Sequence, residues 1–507
     1  MNMRSKTLLN ISHSSFFALI LCVNGCSQEL NNLAAGPYQA TGFKIGEVTD
    51  SVAVIWTRLT QRPDRIGTDA PMPTFLYQAP GFDELQEAPP GRVRTYGRRP
   101  DDWVPVVLYD EGSSITYIEG AVIGSTGETR VSYRPVGTTD WLSTDWETVD
   151  PQRDFTRQIT LSGLAAGTEY ELRAEGRLTG GDTIGSSLDG RFRTAPPPDQ
   201  PARIVFASTT GTDYEDQDTP EGGFQIHRTM LDMDVDFFVH TGDILYYDEY
   251  AKNVALARWG WARMFSLSTN FDFHRRIPTY FMKDDHDTWQ DDAWPTLEST
   301  YMADFTFQEG VEIFKEQTPM SELTYRTFRW GQDMQIWLVE GRDYRSANSD
   351  PDGPTKTIWG AEQTAWFKET VIASDATFRI LISPTPFVGP DTPNKFDSHA
   401  TESFGTEARD LRAFLVENDM IVITGDRHWQ YVSVHEETGL REYATGAASD
   451  AHAGTWTQGD VRPEHLYVNV IGGFLSVTAD REESTPTLTL RNHAVDGEIL
   501  FEDKLTR

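Results

Sequence analysis

From residue 203 onward, short apolar runs and polar clusters alternate regularly. Arg203-Ile-Val-Phe-Ala207 leads into Ser208-Thr209-Thr210, Val235-Asp-Phe-Phe-Val239 into His240-Thr241-Gly242-Asp243, and Thr279-Tyr-Phe-Met282 into Lys283-Asp284-Asp285-His286-Asp287. Gln335-Ile-Trp-Leu-Val339 leads into Glu340-Gly341-Arg342, Arg379-Ile-Leu-Ile382 into Ser383-Pro384, and Met420-Ile-Val-Ile-Thr424 into Gly425-Asp426-Arg427-His428. Continuous apolar runs of this length predict strands buried on both faces. Helical spacing over 223–233, 360–373 and 404–418 places helices between them, so the region reads as an α/β domain. Ligands in such sheets lie beyond the carboxyl ends of the strands. The polar residues at the six strand ends, Asp, His and Arg among them, are therefore expected to share one site.

The pattern before residue 195 differs. Ser51-Val-Ala-Val-Ile-Trp-Thr57 is rich in β-branched and aromatic residues, and Arg157–Leu161, a glycine-flanked turn and Thr168–Arg173 read as strand, turn and strand. This stretch predicts an all-β sandwich of the immunoglobulin or fibronectin type III kind. The Pro-, Gly- and acid-rich interval from Thr68 to Asp102 reads as an insertion or long loop. Ala195-Pro-Pro-Pro-Asp-Gln-Pro201 is a stiff linker. The division predicted is a leader over 1–26, a tether over 27–40, a β domain over 41–195, a linker over 196–202 and a catalytic α/β domain over 203–507.

Charge narrows the function. The 507 residues carry 44 Lys plus Arg against 77 Asp plus Glu, a net charge of -33. A broad basic face for nucleic acid is excluded as a class. A small anionic substrate stays compatible if metals and a few arginines reverse the field locally. The two cysteines, Cys22 and Cys26, exclude a disulfide framework and Cys-rich metal modules. Arg4 and Lys6 followed by the short apolar run Phe16–Val23 read as an export signal, and Val23-Asn-Gly-Cys26 resembles a bacterial lipobox. The alternative is an ordinary signal peptide or an uncleaved anchor. With lipid on Cys26, the protein would sit in the cell envelope and meet the membrane only through that anchor.

The acidic clusters point to metal chemistry. Asp284, Asp285 and Asp287, with Asp291 and Asp292 close behind, would repel one another once desolvated, and cations relieve that repulsion. In Gly242-Asp243 and Gly425-Asp426, the glycine permits a tight turn that can aim the following carboxylate into the crevice. A two-metal hydrolase needs a bridging carboxylate and further ligands. Asp243 is the candidate bridge, with Asp285 and Asp426 as ligands. His286 is a general acid or a group orienting the ester oxygen, and His428 is a ligand or a second polar contact.

These motifs, with Gly242-Asp-Ile-Leu-Tyr246, Tyr325–Gly331, Glu340-Gly-Arg-Asp-Tyr-Arg345, Gly360-Ala-Glu-Gln363, Gly425-Asp-Arg-His-Trp429 and Gly472–Val477, resemble the alkaline phosphatase D (PhoD-like) family of metallophosphoesterases. The resemblance covers most of residues 42–500. It implies a four-layer αββα catalytic domain, hydrolysis of phosphate esters, and a centre of two or more metal ions that uses iron and calcium. Asp243 and Asp426 fall on metal-ligand positions, Tyr246 on a tyrosine-ligand position, and His286 on that of the histidine beside the substrate. Where the family has a metal-binding cysteine, this chain reads Ala207-Ser208-Thr209, which puts the iron and calcium assignment in question; Asp213 is a possible substitute. Glu340 stands where relatives usually have Asp.

Arg326, Arg342, Arg345 and Arg427 carry guanidinium forks suited to tetrahedral oxyanions, with surface ion pairing as the alternative. Arg342 is assigned to catalysis, Arg326 and Arg345 to substrate binding, and His399 to a loop that reaches the substrate. Trp259, Trp261, Trp289, Trp294 and Trp359 suit core packing, or stacking on a sugar or aryl leaving group. The leading function is an exported metal-dependent phosphatase or phosphodiesterase. One alternative is a sulfatase acting on sulfated polysaccharide; another is a non-catalytic surface protein that binds carbohydrate.

Overall fold

The computed structural model describes residues 36–87, 103–219, 222–393 and 395–507. The leader, Cys26 and the tether up to residue 35 lie outside the described residues.

After the linker the strands are, in chain order, β1 Ile204–Thr209, β2 Phe237–His240, β3 Thr279–Phe281, β4 Arg326–Trp330, β5 Met334–Leu338, β6 Phe378–Ser383 and β7 Met420–Thr424. They continue with β8 Gln430–Val434, β9 Arg441–Thr445, β10 His465–Asn469, β11 Phe474–Glu482, β12 Thr485–His493 and β13 Ile499–Thr506. One sheet has the order β3-β2-β1-β11-β12-β13 and the other β4-β5-β6-β7-β9-β8-β10. β1, β2 and β3 run parallel, as do β5, β6, β7 and β9; the remaining pairings are antiparallel, so both sheets are mixed.

Strand alternation creates the layers. In β1, Ile204 and Phe206 join a core shared with Ile380 and Ile382 of β6, so the two sheets pack face to face. Val205 and Ala207 point the other way, onto helices that contribute Ile226, Met230, Trp261 and Met264. On the far side, Trp337, Leu381 and Val422 pack against Phe367 and Val371 of helix Gly360–Ala373 and Leu411 and Leu415 of helix Gly405–Glu417. The sequence of layers is helix, sheet, sheet, helix, an αββα sandwich.

The region before the linker is all β. Phe43–Gly46, Val52–Arg58 and Thr156–Ser162 form one antiparallel sheet, and Ile184–Arg193, Glu169–Arg177 and Glu128–Pro135 the body of another. Ile55 and Leu161 from the first pack with Val131, Leu172 and Phe192 from the second. The interval read as an insertion or long loop contains strand Thr74–Gln78, paired antiparallel with Val104–Leu108. The end of the tether is also built in: Tyr38 and Thr60 exchange backbone hydrogen bonds at 2.8 Å, and Ala40 is buried.

This β region is fused to the sandwich. Phe43, Ile55 and Leu161 belong to the same buried cluster as Tyr280, Phe328 and Met334. Trp56 Nε1 donates to Glu316 O at 2.8 Å, and buried Lys44 Nζ donates to Gln317 O at 2.7 Å. The proline linker is docked as well, since Gln332 N donates to Gln200 O at 2.8 Å.

Candidate metal centre

Two tight turns aim carboxylates beyond the strand ends. Gly242 follows β2 at φ 115° and Asp243 follows at φ 57°. A Cβ on Gly242 would lie 2.7 Å from Asp284 N, so glycine is what lets the β2 turn press against the β3 turn. Asp426, after β7, also sits in the left-handed region at φ 60°, which Asp tolerates better than most residues. Thr210 Oγ1 ties these turns together, donating to Gly242 O at 3.1 Å and accepting from Asp426 N at 3.2 Å.

At their meeting point, Asp243, Asp284 and Asp285 are all buried, and one carboxylate oxygen of each lies within 4.8 Å of the others. Asp243 Oδ1 and Asp284 Oδ2 are buried without a hydrogen-bond partner. Burial pushes the Asp243 carboxyl well above its usual range; His286 opposes that shift, and Asp285, Asp287 and Asp426 add to it. Burial likewise raises Asp284 despite Arg342. Asp285 is held low, because Arg342, His286 and Lys395 together outweigh its burial. Burial raises Asp426 to about 6. Clustered, buried carboxylates with unpartnered oxygens are costly in isolation and well suited to a hard cation. The donor set therefore fits metal.

Beside them lies a second group. His428 Nε2 is 3.2 Å from Asp243 Oδ2 and 3.2 Å from Tyr246 OH. Tyr246 OH is 2.5 Å from His452 Nε2, whose Nδ1 is 3.0 Å from Asp216 Oδ2. Asp213, Asp216 and His452 form another grouping with ligand spacing. Burial and the neighbouring His452, His286 and Arg427 hold His428 well below its ordinary pKa, and hence neutral. A neutral imidazole is the form that binds metal.

His286 has the opposite character. Its Nδ1 is 3.0 Å from buried Asp248 Oδ1. Burial opposes its protonation, but Asp248, Asp285 and Asp243 outweigh this and raise its pKa well above 6.5. With Nδ1 fixed by Asp248, Nε2 is the nitrogen left to face the crevice, 4.0 Å from Asp291 Oδ1.

The cations brace this arrangement from behind. Arg342 is fully buried and pairs with Asp284 at 2.5 Å, Asp397 at 3.0 Å and Asp285 at 3.6 Å. Its place is that of a positioning residue rather than one that touches substrate. Arg427 pairs with Asp426 and with Asp391. Lys395 lies 3.4 Å from both Asp291 and Asp292. The whole set is one network of alternating charge.

The β3-to-β10 stretch that carries most of this network is also where the chain resembles a known family. Residues 268–466 match the family model of PhoD-like phosphatases. The chain carries a PhoD-like phosphatase domain. The matched residues include Asp285, His286, Asp426 and His452, while Asp243 and Tyr246 precede them. A solved structure of PhoD is similar in fold, with a TM-score of 0.67 and 15% identity over 94% of this chain and 90% of that one. A purple acid phosphatase from seeds of yellow lupin (Lupinus luteus) is also similar, with a TM-score of 0.59 and 12% identity over 92% of this chain and 74% of that one. No curated protein matches the chain by sequence.

Within the PhoD-like architecture, some sequence candidates stand elsewhere. Arg326 donates to Thr324 O and Phe281 O and pairs with Glu47 at 2.8 Å, so it fastens the β region to the sandwich. His399 is fully buried, 3.0 Å from Glu407 and stacked on Phe387 at 4.2 Å; its neighbour Asp397 is the residue of that loop that enters the network. Arg345 reaches only the edge, 3.5 Å from Asp292 O. Thr209 Oγ1 donates to Gly446 O at 3.1 Å and Gly473 O at 3.0 Å, so it ties strand ends together rather than facing the carboxylates. Sequence reasoning passed over Asp397 and His452. Ala444-Thr445-Gly446 followed by Asp450-Ala-His452 repeats the strand-then-polar pattern, and was the available signal for His452.

Proposed function

We propose that the chain is an exported phosphoesterase with Asp243, Asp285, Asp426 and His428 as metal ligands and His286 as the general acid. Asp284, Tyr246 and the Asp213, Asp216 and His452 group complete the set from which further ligands are drawn. Metal ions in such a centre supply Lewis acidity and an activated water. Water would attack phosphorus as the ester P–O bond breaks, the departing alkoxide would take the proton from His286 Nε2, and the proton released by the water would restore it through solvent. Asp248 accepts from Nδ1–H, which holds the ring in orientation and favours the protonated form. Arg342 acts through Asp284 and Asp285 by aligning both and holding Asp285 ionised. The observation that supports this reading most is the buried Asp243, Asp284 and Asp285 cluster beside a histidine whose surroundings favour the proton.

The leader motif supports export, and Val23–Cys26 supports a lipid on Cys26. Among the described residues, no helix is long and apolar enough to cross a membrane.

The test is hydrolysis of an aryl phosphate and the matching aryl sulfate by metal-loaded protein, with Asp243→Asn and His286→Ala as controls. Release of phosphate alone, lost in both variants while their circular dichroism is unchanged, is expected. Turnover of sulfate alone would replace phosphate with sulfate as the ester, and turnover of neither would favour the non-catalytic reading.

A further inference from the structure

Resting on the phosphoesterase reading, we infer that the substrate carries a single uncharged aryl or compact apolar group on its alcohol side, held in a cavity beside the centre. The cavity measures about 170 Å³ and shares Tyr246 and Asp213 with the centre. Its remaining wall includes Phe75 from the β region, Leu245, and Tyr250, Trp259 and Met264. Trp259 and Met264 come from helix Val254–Phe265. Gly260 of the same helix completes the wall: a Cβ there would lie 2.0 Å from Tyr250 OH, so glycine lets the tyrosine lie flat against the helix. Tyr250 meets Trp259 edge to face at 5.4 Å between centroids.

Size and charge limit the occupant. A cavity of about 150 Å³ lined by apolar side chains takes one benzene ring, so this one has room for a single ring. Asp213, Glu215 and Glu249 stand on its wall, which disfavours a second anionic group. Arg263, the cation on the wall, is already paired with Glu119 at 2.6 Å and Glu215 at 3.0 Å and lies 3.5 Å over the Tyr214 ring. An anionic occupant would meet the three carboxylates, and the apolar side chains that make up most of the wall favour an uncharged ring. Of the tryptophans offered for stacking, Trp261, Trp289 and Trp359 belong to the large packed cores, while Trp259, buried in a smaller cluster with Ile118 and Leu256, also borders this cavity.

The experiment compares 2-phenylethyl phosphate with ethyl phosphate, whose leaving alcohols have similar basicity, and in parallel the binding of the two corresponding non-hydrolysable phosphonates by calorimetry. The full-length metal-loaded protein is used, with Phe75→Ala and with Met72→Trp at an exposed residue of the cavity wall. In the unmodified protein the phenylethyl compound should be favoured about 10- to 100-fold in both kcat/KM and Kd, since a buried ring is removed from water. Both variants should bring the two ratios towards one at unchanged melting temperature. A ratio near one in the unmodified protein, or a ratio unaffected by both folded variants, overturns the inference. Loss of turnover on both esters with the phosphonate preference intact would instead overturn the phosphoesterase reading and leave the cavity assignment standing.

Discussion

His286 and Asp248 carry the clearest consequence at the scale of single residues. A histidine whose pKa is raised by carboxylates keeps its proton above pH 6.5, so a general acid of this kind works on the acid side and fails as pH rises. Asp248→Asn removes the first of the favourable charges. The alkaline limb of the kcat profile should therefore move to lower pH, and His286→Ala should lower kcat about 10²- to 10⁴-fold. A pH–rate series on the two variants checks both. The residues that sequence alone could find are those directly after an apolar strand: Asp243, Asp285, His286, Asp426 and His428. Asp397 and Asp216 were not legible, because nothing near them in the chain marks them; their partners Arg342 and His452 lie 55 and 236 positions away. Arg326 and His399 have the right chemistry in suggestive motifs, but each meets a nearer carboxylate, Glu47 or Glu407, that takes up its charge or its ring nitrogen.

At the scale of elements, the turn after β2 does most to build the site. Gly242 has no Cβ to collide with the β3 turn and sits at a φ that side chains rarely adopt. Gly242→Ala should cost about 1–3 kcal/mol and separate Asp243 from Asp284. The expected result is a lower melting temperature together with weaker metal retention, read by calorimetry and elemental analysis on one preparation. The buried strands were legible because their apolar runs are unbroken and each ends in a polar cluster. The hairpin of Thr74–Gln78 with Val104–Leu108 was not, since the pairing joins segments separated by a long Pro- and Gly-rich stretch, and local pattern does not encode cross-strand partners.

For the molecule as a whole, the fused core matters most. Because Phe43, Ile55 and Leu161 share one buried cluster with the catalytic sheets, the β region and the sandwich should unfold together in a single thermal transition. Trp56→Ala should destabilise that transition by about 3–5 kcal/mol without creating a second one. Acid should act on the whole chain too. Burial lowers His227 from 6.5 to about 3, and lowers His274 as well. Both are neutral in the fold and would take up protons once unfolded, so the stability they contribute is complete above pH 6.5 and declines as pH falls towards 3. Denaturant midpoints across that window should drop, and His227→Phe should flatten the decline. The sequence division at the proline linker marks where the chain passes from one architecture to the other. Composition could not reveal that the linker is docked against the β4–β5 hairpin, or that the cores on either side are continuous, because those contacts depend on which faces meet.

Asp243 and Asp285 should enclose a cation together with Asp284, the nearest of the further donors. An anomalous difference map from crystals of metal-loaded protein tests it most directly. A peak within coordinating distance of all three carboxylates, absent from Asp243→Asn crystals of the same form, is the predicted result. Three carboxylates in place with only water between them, in crystals grown with excess metal, would contradict it.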